Sequence, residues 1–93
     1  MSDLISITKV KESKVDSLDF DTIALGRTFT DHMFVCDYKE GKWSNPRITP
    51  MALIPMHPAC MALHYGQALF EGMKATKDTS GAPLLFRPEK NAE

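Results

Sequence analysis

Ala-Leu-His-Tyr-Gly-Gln-Ala-Leu-Phe-Glu-Gly-Met-Lys-Ala, residues 62–75, decides how the rest of the chain is read. It mixes apolar residues at helical spacing with two glycines and two aromatics. Leu63, Ala68, Leu69 and Met73 are core candidates. Gly66 and Gly72 interrupt any single helix through them, because a glycine costs about 1 kcal/mol against alanine in a helix interior and admits φ > 0. A short bent segment follows, in which Tyr65 and Phe70 either pack into a core or are presented together toward a pocket.

Downstream, Met73–Lys77 and Leu84–Arg87 flank the turn cluster Asp78-Thr-Ser-Gly-Ala and form a hairpin. Pro88 then opens a helix, with Glu89 at the positive end of its dipole. Five residues follow Pro88, too few for a helix to hold itself together in water. The local signals therefore say that the chain stops inside an element.

Upstream, Pro46, Pro50, Pro55 and Pro58 forbid a helix, so residues 48–54 are extended, and prolines that join a sheet belong at an edge or a bulge. Pro58 suits the first turn of a short helix through Ala59-Cys-Met-Ala-Leu. Met33-Phe-Val-Cys-Asp-Tyr reads as a partly buried strand. Gly41 turns it back toward Trp43 as a hairpin with a longer loop, and Trp43 packs on that sheet. Residues 4–10 alternate as a short edge strand with Ile5 and Ile7 on one face. Between them, Lys11 to Asp21 is a solvated connector pinned by Leu18 and Phe20.

With 93 residues the chain allows one domain at most, and its 43% apolar and 25% charged content is that of a soluble globular protein. A net charge of −1 and three unclustered arginines, Arg27, Arg47 and Arg87, give no field for nucleic acid. No window has the roughly 18 apolar residues of a membrane span, and the opening Met-Ser-Asp lacks a signal-peptide layout. The expected setting is cytoplasmic, where Cys36 and Cys60 are small hydrophobes and not a disulfide. His32, His57 and His64 lack metal-ligand spacing and are read as structural. No phosphate-cradling glycine loop is present.

Three blocks carry a resemblance: Phe-Thr-Asp-His-Met (29–33), His-Tyr-Gly-Gln-Ala-Leu-Phe-Glu-Gly-Met-Lys-Ala (64–75) and Leu-Phe-Arg-Pro-Glu-Lys-Asn-Ala-Glu (85–93). In order and spacing they resemble the N-terminal region of branched-chain amino acid aminotransferases, class IV pyridoxal-phosphate enzymes of the D-amino-acid-aminotransferase-like fold. The resemblance implies an α+β fold, an antiparallel sheet built from hairpins with short helices, forming part of that family's small N-terminal domain. Together with the edge strand and connector read above, it gives one partial domain over 1–93: an edge strand at 1–10, a connector at 11–25, and, by the resemblance, an aminotransferase N-terminal domain at 26–93, truncated at its C-terminal end.

The implied parent enzyme moves the amino group of leucine, isoleucine or valine to 2-oxoglutarate, forming glutamate, through pyridoxal 5'-phosphate, and is a homo-oligomer. Phe29, Tyr65 and Phe70 match its substrate-enclosing aromatic positions, where burying a branched side chain contributes about 1.5–3 kcal/mol. The Schiff-base lysine, the phosphate-binding arginine and the acid on the pyridine nitrogen lie downstream in that family. The implied catalytic, cofactor-binding and metal residues of this chain are thus none, and the chain alone is expected to be inactive and not to hold the cofactor stably. Two other readings stand beside this one. A D-amino-acid aminotransferase or aminodeoxychorismate lyase shares the fold, and a stand-alone binding or oligomerisation module would be a different class altogether.

Overall fold

The fold is described from a computed structural model, which describes residues 4–92. Backbone contacts divide the chain into two compact units, Met1–Pro55 and Met56–Glu93.

The first unit is a three-stranded sheet. Its strands are β1 (Ser6–Ile7), β2 (His32–Lys39) and β3 (Lys42–Pro50), in spatial order β1-β3-β2. β2 and β3 form an antiparallel hairpin with Tyr38 opposite Trp43 and His32 opposite Pro50. The β-branched and aromatic content of β2 favours this pleated surface. The sequence suggested a longer loop, but the turn has two residues, Glu40 and Gly41, at φ 52° and 78°. Positive φ at both central residues gives the twist that matches the flanking strands. The Tyr38 and Trp43 rings meet edge to face, with centroids 5.0 Å apart.

β3 resolves the proline question. Val35 pairs with Arg47 and Asp37 with Ser44, so Asn45 and Pro46 together face Cys36. This is a β-bulge with Asn45 in the left-handed region at φ 54°. Pro46, which has no N–H to give, sits where none is needed, and is the one buried residue among those described. Arg47 Nη1 staples the bulge, donating to Asp37 Oδ2 at 3.1 Å and to the Asn45 carbonyl at 2.9 Å. β1 runs parallel to β3 at the sheet edge, where Ser6 pairs with Arg47 and Ile7 with Ile48.

The second unit holds α1 (Met61–His64) and a hairpin of β4 (Ala75–Lys77) and β5 (Pro83–Leu85). α1 begins three residues after Pro58, which belongs to a preceding turn. It stops at Gly66, whose φ of 63° lets the Gln67 N–H turn back to the Met61 carbonyl at 3.3 Å. The β4–β5 turn is organised by Asp78, whose Oδ1 accepts from the Ser80 N–H, the Ser80 hydroxyl and the Ala82 N–H. After it, Pro88–Ala92 forms a 3₁₀ turn and not an α-helix.

The α+β class and its hairpins agree with the sequence reading. The core candidates do not: among the described residues only Pro46 is buried, and Leu63 is 60%, Met73 66% and Leu69 103% exposed. Residues 66–74 belong to no helix or strand, so no repeating backbone turns their apolar side chains onto a common face.

Candidate functional site

In the first unit the chain between β1 and β2 folds over itself. Val15, Leu18, Phe20, Ile23 and Phe29 line a cavity of about 460 Å³. Leu18 and Phe20 are thus the connector's contribution to that lining, and Phe29, of the three aromatic candidates, has a concave apolar surface around it. It remains 54% exposed, as a ring lining an open cavity would be.

Thr30, Asp31 and His32, which follow Phe29, are each engaged. Asp31 Oδ2 accepts the Ser13 hydroxyl and Oδ1 the Lys14 N–H at 3.3 Å. The Asp31 carbonyl accepts the Met51 N–H at 2.9 Å. His32 Nε2 accepts the Val10 N–H at 3.0 Å, so the neutral ring with its proton on Nδ1 makes this bond. Thr30 Oγ1 donates to the His32 carbonyl at 2.6 Å. The Ser13 hydroxyl, followed by the Lys14 N–H, holds the Asp31 carboxyl below the usual carboxylate range.

Tyr65 and Phe70 lie in the second unit. Tyr65 is the C-cap of α1, and its ring stands 6.4 Å from that of His64. Phe70 lies in the irregular stretch after Gly66 and is 95% exposed. No ring contact joins Tyr65 and Phe70. Next to Phe70, Glu71 Oε1 accepts from the Gly72 N–H at 2.9 Å and from Asn91 Nδ2 at 3.0 Å, and Asn91 also donates to the Gly72 carbonyl at 2.6 Å.

Residue types and spacing did not reveal these polar partnerships. The Asp31 and His32 partners lie some twenty positions back, and Asn91 lies a similar distance ahead of its own. The available signal was local: Asp, His and Asn side chains next to irregular backbone have N–H and C=O groups to satisfy. His57 does the same, its Nδ1 accepting the Ala59 N–H at 2.9 Å.

A seat for an organic phosphate cofactor needs a desolvated lysine amine and a phosphate cradle. All eight lysines are exposed, so the described residues do not build such a seat. Among the described residues no three His, Cys, Asp or Glu side chains gather into a metal-binding group, and no helix is long and apolar enough to cross a membrane.

No family model matches the chain. Individual proteins do. Branched-chain-amino-acid aminotransferase 2 of Bacillus subtilis (strain 168) is 48% identical over 90 residues, covering 96% of this chain and 24% of that protein. The mitochondrial branched-chain-amino-acid aminotransferase of Schizosaccharomyces pombe is 46% identical over 90 residues, 96% of this chain and 21% of that protein. Branched-chain-amino-acid transaminase 1 of Bacillus subtilis is 49% identical over 74 residues, 78% of this chain and 21% of that protein. The chain spans a quarter or less of the length of these relatives. On these matches it belongs to the branched-chain-amino-acid aminotransferase family, as a stretch of partial length.

Proposed function

We propose that this chain is part of a branched-chain aminotransferase, in which it supplies sheet and substrate contacts but no catalytic group. The intact enzyme moves the amino group of leucine, isoleucine or valine to 2-oxoglutarate, with pyridoxal phosphate as its cofactor. The identity of 46% to 49% to proteins named as branched-chain-amino-acid aminotransferases or transaminases supports the reading. The residues described here do not fit the cofactor, so its chemistry is assigned to other parts of the enzyme.

Phe29 contacts the aliphatic side chain of the substrate, and so do Tyr65 and Phe70. An aromatic ring makes a rigid apolar surface that loses little entropy on binding, and the Tyr65 hydroxyl can orient a polar group. The cavity at Phe29 supports its role. The exposure of Tyr65 and Phe70 leaves both rings available for contact.

Two assays test the reading together. The 93-residue chain, incubated with pyridoxal phosphate, leucine and 2-oxoglutarate, gives no turnover above a blank, while the full-length enzyme forms glutamate. Turnover by the chain alone, or a full-length enzyme inert toward all three branched-chain amino acids, overturns it. The relatives bear the branched-chain name, which favours this reading over D-amino-acid transamination.

A further inference from the structure

The connector between β1 and β2 has little of its own to hold it. Residues 11–25 make no ladder bonds, and their only helix is the 3₁₀ turn Val15–Ser17. A segment rich in Lys, Glu, Ser and Asp does not order itself by burying apolar surface. Yet it supplies Val15 and Leu18 to the cavity that Phe29 lines. Its fastenings are therefore few and identifiable. Two adjacent side chains make them, one at each end of a five-residue strap. His32 Nε2 takes the N–H of Val10 at 3.0 Å, and the Asp31 carboxylate takes the Ser13 hydroxyl and the Lys14 N–H. Both belong to the Phe-Thr-Asp-His-Met block, immediately after Phe29. Asp31 is itself held to the far end of β3 through the bond from the Met51 N–H to its carbonyl. Force on the strap is thus referred to the sheet.

We infer that Asp31 and His32 are positioning residues, which fasten the Val10–Lys14 strap beside Phe29 and so fix the apolar wall that the Phe29 ring shares with Val15 and Leu18. The inference rests on the proposed role of Phe29 as a substrate contact. Asp31 and His32 also border that cavity, but the role assigned to them is exercised through the strap. They act by deciding where Val15 and Leu18 stand, and hence how closely the pocket follows a branched side chain. Leucine depends on that fit more than glutamate does, because a carboxylate side chain draws its binding from polar partners.

The test uses the full-length enzyme and two readouts. Hydrogen–deuterium exchange of the peptide covering residues 8–16 reports the strap without reference to activity. The ratio of kcat/KM for leucine to that for glutamate reports the pocket. Asp31→Ala speeds exchange and lowers the ratio about five- to tenfold, mostly through KM for leucine, as expected when charge-assisted hydrogen bonds that order a wall are lost. Asp31→Asn restores most of both, since its amide oxygen still accepts the Lys14 N–H. His32→Gln keeps an acceptor for the Val10 N–H and leaves exchange near wild type, whereas His32→Ala does not. Should Asp31→Ala fail to fold, Ser13→Ala decides on the same readouts, with a fall in the ratio of about twofold for one exposed hydroxyl.

Faster exchange with an unmoved ratio overturns positioning and leaves a merely structural tie. Unchanged exchange in Asp31→Ala overturns the strap itself. A wild-type enzyme that does not transaminate leucine is seen before any substitution is made; it removes the proposed function and this inference with it.

Discussion

Asn91 Nδ2 lies 2.6 Å from the Gly72 carbonyl and 3.0 Å from Glu71 Oε1, joining the last 3₁₀ turn to the residues that follow Phe70. Two of the three blocks that carry the family resemblance are thereby hydrogen-bonded to each other.

Asn91→Ala should release that joint. The two bonds are exposed, so the expected loss is about 1 kcal/mol, below the sum for two buried ones. Glu71→Gln, which keeps the accepting oxygen, should fall within about 0.5 kcal/mol of wild type. Chemical denaturation of the full-length enzyme measures both. A neutral Asn91→Ala would show that the joint contributes nothing to stability.

The Glu40-Gly41 turn places a glutamate where asparagine or glycine is at ease, at φ 52°. Glu40→Asn should therefore stabilise the hairpin by a few tenths of a kcal/mol, up to about 1, whereas Gly41→Ala should destabilise it by about 1–2 kcal/mol. Melting temperatures of the two variants should move in opposite directions.

Acid should loosen two local structures together. The Ser13 hydroxyl and Lys14 N–H lower the pKa of Asp31; the Ser80 hydroxyl and Ala82 N–H lower that of Asp78. A carboxyl depressed in the fold binds fewer protons there than when unfolded. Its stabilisation is therefore complete above the unfolded value of about 3.9 and is lost as pH falls through the lower folded value. Amide exchange in residues 10–15 and 78–82, corrected for the intrinsic rate, should be flat from pH 6 to 8 and rise below about pH 4. Asp78→Asn should flatten the response at 78–82 alone.

Substrate contacts are tested by truncation. In the full-length enzyme Phe29→Ala and Phe70→Ala should each raise KM for leucine about tenfold or more, as expected for loss of ~1.5–3 kcal/mol of apolar contact, with a smaller effect on glutamate. Tyr65→Phe should keep leucine and weaken glutamate if the hydroxyl orients a polar group. Equal losses for both amino acids would remove these rings from the side-chain pocket.

How much of this was legible beforehand depends on whether a feature is local. Turn residues announced both hairpins, and Gly66 announced the end of α1, because a left-handed backbone position has few acceptable occupants. Prolines announced a bulge or edge, and Pro46 sits in one. The length of the Glu40-Gly41 turn was not legible, because Glu40 is an unusual occupant of a left-handed position. Burial was not legible at all: Leu63, Leu69 and Met73 have the hydrophobicity of core residues, yet burial depends on what packs over them. Of the site, the aromatic positions came from resemblance, while the partners of Asp31, His32 and Asn91 needed the fold, since they are some twenty residues distant in the chain.

The bulge at Asn45 and Pro46 also sets how the stretch tolerates changes in length. Deleting Asn45 would make the β2–β3 ladder regular, keep Tyr38 opposite Trp43 and bring Pro46 opposite Cys36, a pair that lies between two hydrogen-bonded ones and so asks no N–H of Pro46 toward β2. An insertion on the opposite strand beside Cys36 would square the pairing as well. This hairpin can therefore lose its irregularity from either arm, by one residue fewer in β3 or one more in β2.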